Sequence, residues 1–155
     1  MSRHLPKIGL LGVERLALIL GRACALNDNP CCGVWDPDSS KALQSSLYLG
    51  ISAVSTSIQL LQAGPEILIC SRHALEPSLD LSESRLVIRL GEPKSTIDMP
   101  SNICGLNCAE LAIDGFPEEI TSSPPSLRAH LWGKESAIAQ GQEFLSEVWP
   151  NLTFT

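Results

Sequence analysis

The chain has 155 residues, of which 44% are hydrophobic and 18% are charged, a composition typical of one globular domain and not of a disordered segment. Its net charge of −6 and its 11 scattered basic residues argue against nucleic acid as a partner, because binding to phosphates needs clustered Lys and Arg. No apolar run is long enough to cross a membrane, and the first residues do not form a secretory signal, so we expect a cytoplasmic protein with no membrane partner.

The first part of the chain alternates short apolar runs with longer amphipathic runs. Residues 7–12 predict a buried strand that ends in a glycine turn, and residues 14–26 predict a helix with one apolar face. A second strand is predicted at 31–35. Asp38 then caps a predicted helix that runs to Leu49 and ends at the next residue, a glycine.

Three more strands are predicted before residue 91, at 51–54, 66–70 and 85–90. Between the first two of them, Thr56 or Ser57 is expected to cap a short helix. Strands separated by helical runs imply parallel crossovers, so this half of the chain predicts a sheet that is covered on both faces.

The second half continues the pattern less regularly. A helix is predicted at 101–109, followed by a strand at 110–114 and another at 127–132. Residues 134–149 form the clearest predicted helix, and 152–154 a closing strand. Taken together, these elements predict a single α/β domain over the whole chain, Rossmann-like, with a mostly parallel sheet and helices on both faces.

Six cysteines raise the question of a metal site. Cys104 and Cys108 are four residues apart and would share a face of the predicted helix there, which makes half of a metal site. No CxxC motif or neighbouring pair of histidines completes it. We therefore expect buried thiols that act as small apolar side chains, and no metal.

A damaged dinucleotide fingerprint follows the first predicted strand. The pattern G-x-G-x-x-G/A places Gly12 at its first position and Ala17 at its third, but Glu14 replaces the second glycine. Glu14 adds a side chain and a negative charge where a pyrophosphate would dock. Like charges about 4 Å apart cost about 4 kcal/mol at an effective dielectric of about 20, a factor of about 1000 in affinity. We therefore expect NAD to bind weakly.

Other candidate residues follow the second and fourth predicted strands. Asp36 lies 24 positions after Gly12 and either holds a ribose 2′-hydroxyl, which would favour NAD over NADP, or starts a turn; the sequence leaves both readings open. Ser71, Arg72 and His73 follow the fourth strand, at the edge where open α/β sheets bind ligands. Ser71 is a candidate cofactor contact, Arg72 a carboxylate clamp and His73 an acid or base; the alternative is an ordinary surface loop.

The order of elements resembles the N-terminal domain of the β-hydroxyacid dehydrogenases, a group that includes 6-phosphogluconate dehydrogenase. Pyrroline-5-carboxylate reductase and prephenate dehydrogenase have similar domains. Residues 8–17 resemble the family opening I-G-x-I-G-x-G-x-M-G, and 95–100 (S-T-I-D-M-P) are similar to its S-T-x-x-P segment. Residues 111–117 are similar to its strand ending in D-A-P, and 132–135 to its G-G-D/E step.

Two departures bear on activity. The family's substrate-binding S-G-G has no match, since Glu118 and Glu119 stand there, and the chain ends where the family's helical domain with the catalytic lysine would begin. The resemblance therefore implies an NAD(P)-binding-like domain that is non-catalytic or regulatory on its own, with a nucleotide or other small molecule as ligand. The alternative is a minimal NAD-dependent oxidoreductase for a small hydroxyacid or imine, completed by oligomerisation or a partner subunit. Apolar residues such as Phe144 and Trp149 on the last helix are expected to be exposed and to support a homo-oligomer.

Overall fold

The computed structural model describes residues 5–74, 79–91, 100–108 and 126–155. Within these ranges the chain forms seven strands, four α-helices and one short 3₁₀ turn. In chain order they are β1 (Ile8–Leu11), α1 (Arg15–Leu26), β2 (Cys31–Trp35), α2 (Ser39–Leu49), α3 (Ser57–Gln62), β3 (Ile67–Cys70), the 3₁₀ turn (Arg72–Ala74), β4 (Leu86–Leu90), β5 (Ile103–Asn107), β6 (Leu127–Gly133), α4 (Glu135–Val148) and β7 (Leu152–Phe154).

The strands form one sheet in the order β2-β1-β3-β4-β5-β6-β7. The first five of these are parallel, β6 runs antiparallel to β5, and β7 runs parallel to β6. The chain lays β2 on one side of β1 and β3 on the other, so the direction of winding reverses at β1. The predicted Rossmann-like α/β class with a mostly parallel sheet is thus confirmed, and the reversal at β1 marks where such sheets bind ligands.

Each face of the sheet has its own apolar core. On one face, residues such as Ile8, Leu10 and Ile69 pack with α1 and α4, and on the other Leu11 and Leu68 pack with α3. These strand residues are fully buried because helices cover both faces, which is why the strands read as continuous apolar runs in the sequence. The packing fixes the strand ends, and with them the loops that carry the candidate site.

Local capping signals are confirmed at both helices where they were predicted. The carboxylate of Asp38 accepts hydrogen bonds from the backbone N–H of Ser40 and Lys41 at the start of α2, which ends at Gly50 with φ +70°. Thr56 and Gln59 form a reciprocal capping box at the start of α3.

Two predicted elements are wrong. Residues 51–54 make only an isolated parallel bridge, between Ala53 and Val34 of β2, instead of a strand. The predicted helix at 101–109 is the strand β5, so Cys104 and Cys108 do not share a helix face. A Cβ on Gly105 would lie 1.9 Å from the indole of Trp132, so the glycine lets that ring pack flat on β5. The predicted strand 110–114 and the family-like segments 95–99 and 111–117, with Glu118 and Glu119, lie outside the described residues.

The prediction of an exposed apolar surface on the last helix is also wrong. Phe144 is 7% exposed and Trp149 is fully buried, because α4 packs on β5 and β6 with these rings turned inward. Large apolar side chains are exposed instead on α2, where Leu43 is 58% and Leu47 78% exposed. In the described part of the chain, no helix is both long and apolar enough to cross a membrane.

Candidate functional site

The carboxyl ends of β1, β2 and β3 form the edge at which the predicted site residues gather. Gly12 follows β1 directly, has φ +96° and donates its N–H to the carbonyl oxygen of Trp35 at 2.6 Å. A Cβ at Gly12 would lie 2.6 Å from the Cβ of Ala74 and 2.8 Å from that of Ser71. Gly12 is therefore needed for the close approach of the β1–α1 loop to the turn after β3, as well as for its backbone angle.

Glu14 is the N-cap residue of α1, in extended backbone conformation, and its side chain makes no capping hydrogen bond. The first turn of a helix presents N–H groups and the positive end of the helix dipole, which attract anions. The carboxylate of Glu14 therefore brings negative charge to the end of α1 where a phosphate would bind. Arg15, the first residue of α1, is half-buried beside it.

Asp36, one residue beyond β2, is the polar centre of this edge. Its side chain is 2% exposed, and its Oδ2 accepts a hydrogen bond from the backbone N–H of Val13 at 2.7 Å. The same oxygen lies 2.7 Å from Nε2 of His73, and Oδ1 accepts from the backbone N–H of Asp38 at 2.8 Å. Buried carboxylates are stable only when hydrogen-bonded, and Asp36 meets this need within the protein.

These contacts bear on the two readings of Asp36. The hydrogen bond from Asp38 N–H is the turn contact that one reading expects. The ribose contact stays a prediction, and a ribose hydroxyl would find both carboxylate oxygens already engaged. A carboxylate oxygen has about two acceptor positions, and on Oδ2 both are used by Val13 and His73.

The turn after β3 brings the other candidates to the same edge. Ser71 is fully buried, its backbone N–H donates to the carbonyl oxygen of Leu11 at 2.9 Å, and its hydroxyl has no hydrogen-bond partner among the described residues. His73 reaches Asp36 while 41% of its side chain stays exposed. Arg72 is exposed and lies over Gly91, at the end of β4, where its Nε is 2.6 Å from the position a Cβ would take.

Sequence reasoning missed two of these associations. Asp36 and His73 are 37 residues apart, and nothing local predicts that they touch. Gly91 was not singled out, although it follows β4 directly, has φ +111°, and accepts a hydrogen bond from the indole N–H of Trp132 at 3.1 Å. A glycine at the end of a predicted strand is the signal that could have found it.

The six cysteines are free. Burial raises the pKa of Cys70 to about 12 and the pKa values of Cys31 and Cys104 to about 11. Such thiols stay protonated at neutral pH, so they are poor nucleophiles and poor metal ligands. Across the described ranges, no three His, Cys, Asp or Glu side chains are grouped so that they could hold a metal ion.

A cavity of about 820 Å³ lies at the opposite edge of the sheet, away from these residues. Pro65 and Glu66, which precede β3, and Ser84 and Arg85, which precede β4, line it together with α3. Because ligands of open α/β sheets bind beyond the carboxyl ends of the strands, the size of this cavity does not make it the dinucleotide crevice.

Solved structures of dehydrogenases and reductases share this fold. A prephenate dehydrogenase from A. aeolicus, in complex with hydroxyphenyl propionate and NAD+, matches the whole chain with a TM-score of 0.70 at 10% identity. An imine reductase variant from Myxococcus stipitatus in complex with NAD+ matches 97% of the chain with a TM-score of 0.69 at 12% identity. An arogenate dehydrogenase from Synechocystis matches 96% of the chain with a TM-score of 0.64 at 15% identity.

The chain spans 61%, 55% and 59% of the lengths of these three proteins. No family model matches it, and no curated protein matches its sequence. At these identities the likeness establishes the fold and leaves the chemistry to the residues of the site. The chain has a Rossmann-like fold, which it shares with solved structures of a dehydrogenase and a reductase in complex with NAD+.

Proposed function

We propose that this chain is a Rossmann-type domain, related to the NAD(P)-binding domains of dehydrogenases, that binds a dinucleotide such as NAD weakly and acts in a non-catalytic or regulatory role. The observation that carries the proposal is the hydrogen bond from Val13 N–H to Asp36. Val13 follows Gly12 in the turn that would face a pyrophosphate, and its N–H is directed to the protein's own carboxylate.

The residues at this edge fit a dinucleotide only in part. Gly12 and the N-terminus of α1 form the first strand–helix turn, where this fold binds a pyrophosphate, and the candidate contact Ser71 lies buried against that turn. Glu14 and Asp36 instead bring two carboxylates to the same edge, and a pyrophosphate would add further negative charge. This balance supports weak binding.

The proposal is tested by calorimetry with NAD and NADP on the wild type, Glu14→Gln and Glu14→Gly. Glu14→Gln removes the charge and keeps the size, whereas Glu14→Gly also clears the space. We expect no binding at micromolar concentrations for the wild type. The affinity of Glu14→Gln for NAD should rise about 5-fold if the repulsion between carboxylate and pyrophosphate is screened as in water. It should rise up to about 1000-fold if the repulsion is screened as near a protein surface.

Micromolar binding of NAD by the wild type, unchanged in both Glu14 variants, would contradict the proposal. A second arm mixes the wild type with NAD or NADP and a panel of small hydroxyacids and imines, and follows the absorbance of the reduced cofactor. We expect no turnover, because hydride transfer needs cofactor and substrate in near-attack geometry. Turnover of about 1 s⁻¹ would refute a non-catalytic role.

One contact favours the alternative, a minimal NAD-dependent oxidoreductase for a small hydroxyacid or imine, completed by oligomerisation or a partner subunit. A part-exposed histidine held by a buried carboxylate is the arrangement of a general base with its orienting group, and His73 and Asp36 have it at 2.7 Å. If this alternative holds, His73→Ala abolishes turnover in the assay above.

A further inference from the structure

One contact crosses the carboxyl edge of the sheet. Asp36 lies at the end of β2, and His73 lies in the turn after β3. Because β1 lies between β2 and β3 in the sheet, the hydrogen bond between Asp36 and His73 passes over the end of β1. This is the position where the winding of the sheet reverses and where ligands of such sheets enter.

The contact also occupies the carboxylate that a dinucleotide would need. In this fold an acidic residue at the end of the second strand accepts hydrogen bonds from the adenosine ribose. Oδ2 of Asp36 is saturated by Val13 N–H and His73, and the side chain is 2% exposed. A ribose hydroxyl therefore reaches Oδ2 only after the imidazole has moved away.

The two partners of Oδ2 differ in how easily they can leave. Val13 is buried and its N–H belongs to the backbone of the turn after β1, so it loses its partner only if that turn rearranges. The imidazole of His73 is 41% exposed and can exchange Asp36 for water. Release of His73 thus opens one acceptor position on Asp36 while the glycine turn stays in place.

We propose that the contact between Asp36 and His73 is an intramolecular latch, and that an adenine nucleotide enters this crevice only when His73 leaves Asp36. The latch rests on the proposed weak dinucleotide binding and adds a second cause to it, independent of the charge of Glu14. When a binding-competent state is a minor fraction of the molecules, the apparent affinity falls by that fraction. A latch closed in about nine molecules of ten lowers the affinity about 10-fold.

A buried group beneath the latch is consistent with a second, open arrangement. The hydroxyl of Ser71 has no hydrogen-bond partner among the described residues, although the residue is fully buried. It lies against the Gly12 turn, where an added Cβ would be 3.3 Å from the Ser71 Oγ. Buried polar groups without partners are uncommon, and an open crevice would expose this one to a ligand or to water.

The test is calorimetry with NAD, AMP and nicotinamide mononucleotide on the wild type, His73→Ala and Arg72→Ala. Arg72 is the matched control, because it is an exposed cation in the same turn but lies over Gly91 instead of Asp36. We expect His73→Ala to bind NAD and AMP about 10-fold more tightly than the wild type does. Nicotinamide mononucleotide, which lacks the adenosine ribose, should show no gain, and Arg72→Ala should not tighten any of the three.

The outcomes separate the latch from the function on which it rests. If His73→Ala binds NAD and AMP no better than the wild type, or more weakly, the latch is wrong while weak dinucleotide binding stands. An equal gain for nicotinamide mononucleotide would also overturn it, because the gain would then have nothing to do with the adenosine ribose. If neither the wild type, His73→Ala nor the double variant with Glu14→Gly binds any probe at millimolar concentration, both proposals fail.

Discussion

Replacing Asp36 should reveal how much of the fold depends on the carboxyl edge itself. Asp36→Ala removes three hydrogen bonds, to Val13 N–H, Asp38 N–H and His73. Each hydrogen bond to a charged group contributes about 1.5–3 kcal/mol, but only donors that water cannot reach lose the full amount. Val13 is buried, whereas the imidazole of His73 is part-exposed and the Asp38 contact lies at an exposed turn residue. The free energy of unfolding should therefore fall by about 2–4 kcal/mol, a large share of the 5–15 kcal/mol typical of a domain.

The assay is urea denaturation at neutral pH without ligand, with Asp38→Ala as the matched control in the same turn. Asp38→Ala removes the cap of α2 and should lower the free energy of unfolding by about 1 kcal/mol. Asp36→Asn keeps one accepting oxygen, so its loss of stability should lie between those of Asp38→Ala and Asp36→Ala. The denaturant slope should not change. If the free energy of unfolding of Asp36→Ala is within about 0.5 kcal/mol of the wild-type value, the carboxylate does not stabilise the fold and is free for another role.

Three further results are expected. Gly105→Ala should lower the free energy of unfolding by about 1–3 kcal/mol in the same assay, since the new Cβ would displace the indole of Trp132; an unchanged stability would show that the ring can shift freely. Because burial raises the pKa of Cys70 to about 12, iodoacetamide at neutral pH should leave this thiol unmodified in the native protein and alkylate it in urea, as read by mass spectrometry; fast native labelling would contradict the burial. Self-association stays a prediction, now expected through Leu43 and Leu47 on α2, so Leu47→Glu should lower the dimer fraction in light scattering, and a monomeric wild type at high concentration would count against it.

The parts of the fold that could be predicted depend on signals close together in the sequence. Asp38 and Gly50 mark the ends of α2 within a few residues of the helix, and the capping box at Thr56 does so for α3. The strands β1 to β4 are short apolar runs between turns, which is typical of buried parallel strands. Their parallel direction follows from the helical runs between the strands, whereas the order β2-β1-β3 depends on contacts between distant parts of the chain.

β5 was mistaken for a helix for a reason that lies elsewhere in the chain. This strand contains Cys104 and Gly105, with Cys108 just beyond its end, and a short apolar run does not tell a strand from a buried helix by periodicity. What decides is the pairing with β4 and β6 and the indole of Trp132 lying on the glycine. The contact between Asp36 and His73 escaped prediction in the same way, because it depends on the sheet order β2-β1-β3.

The two fingerprint positions carry different information about a ligand. Gly12 has φ +96°, and a Cβ there would collide with Ala74 and Ser71, so the protein's own packing requires this glycine whether or not a nucleotide binds. Glu14 has φ −147° and ψ 171°, an extended conformation that any residue adopts, so its backbone needs no glycine. A glycine at the second position would therefore serve the approach of a ligand. The presence of Gly12 therefore says little about whether a nucleotide binds. Glu14, which stands in place of the second glycine, is the residue that affects nucleotide binding.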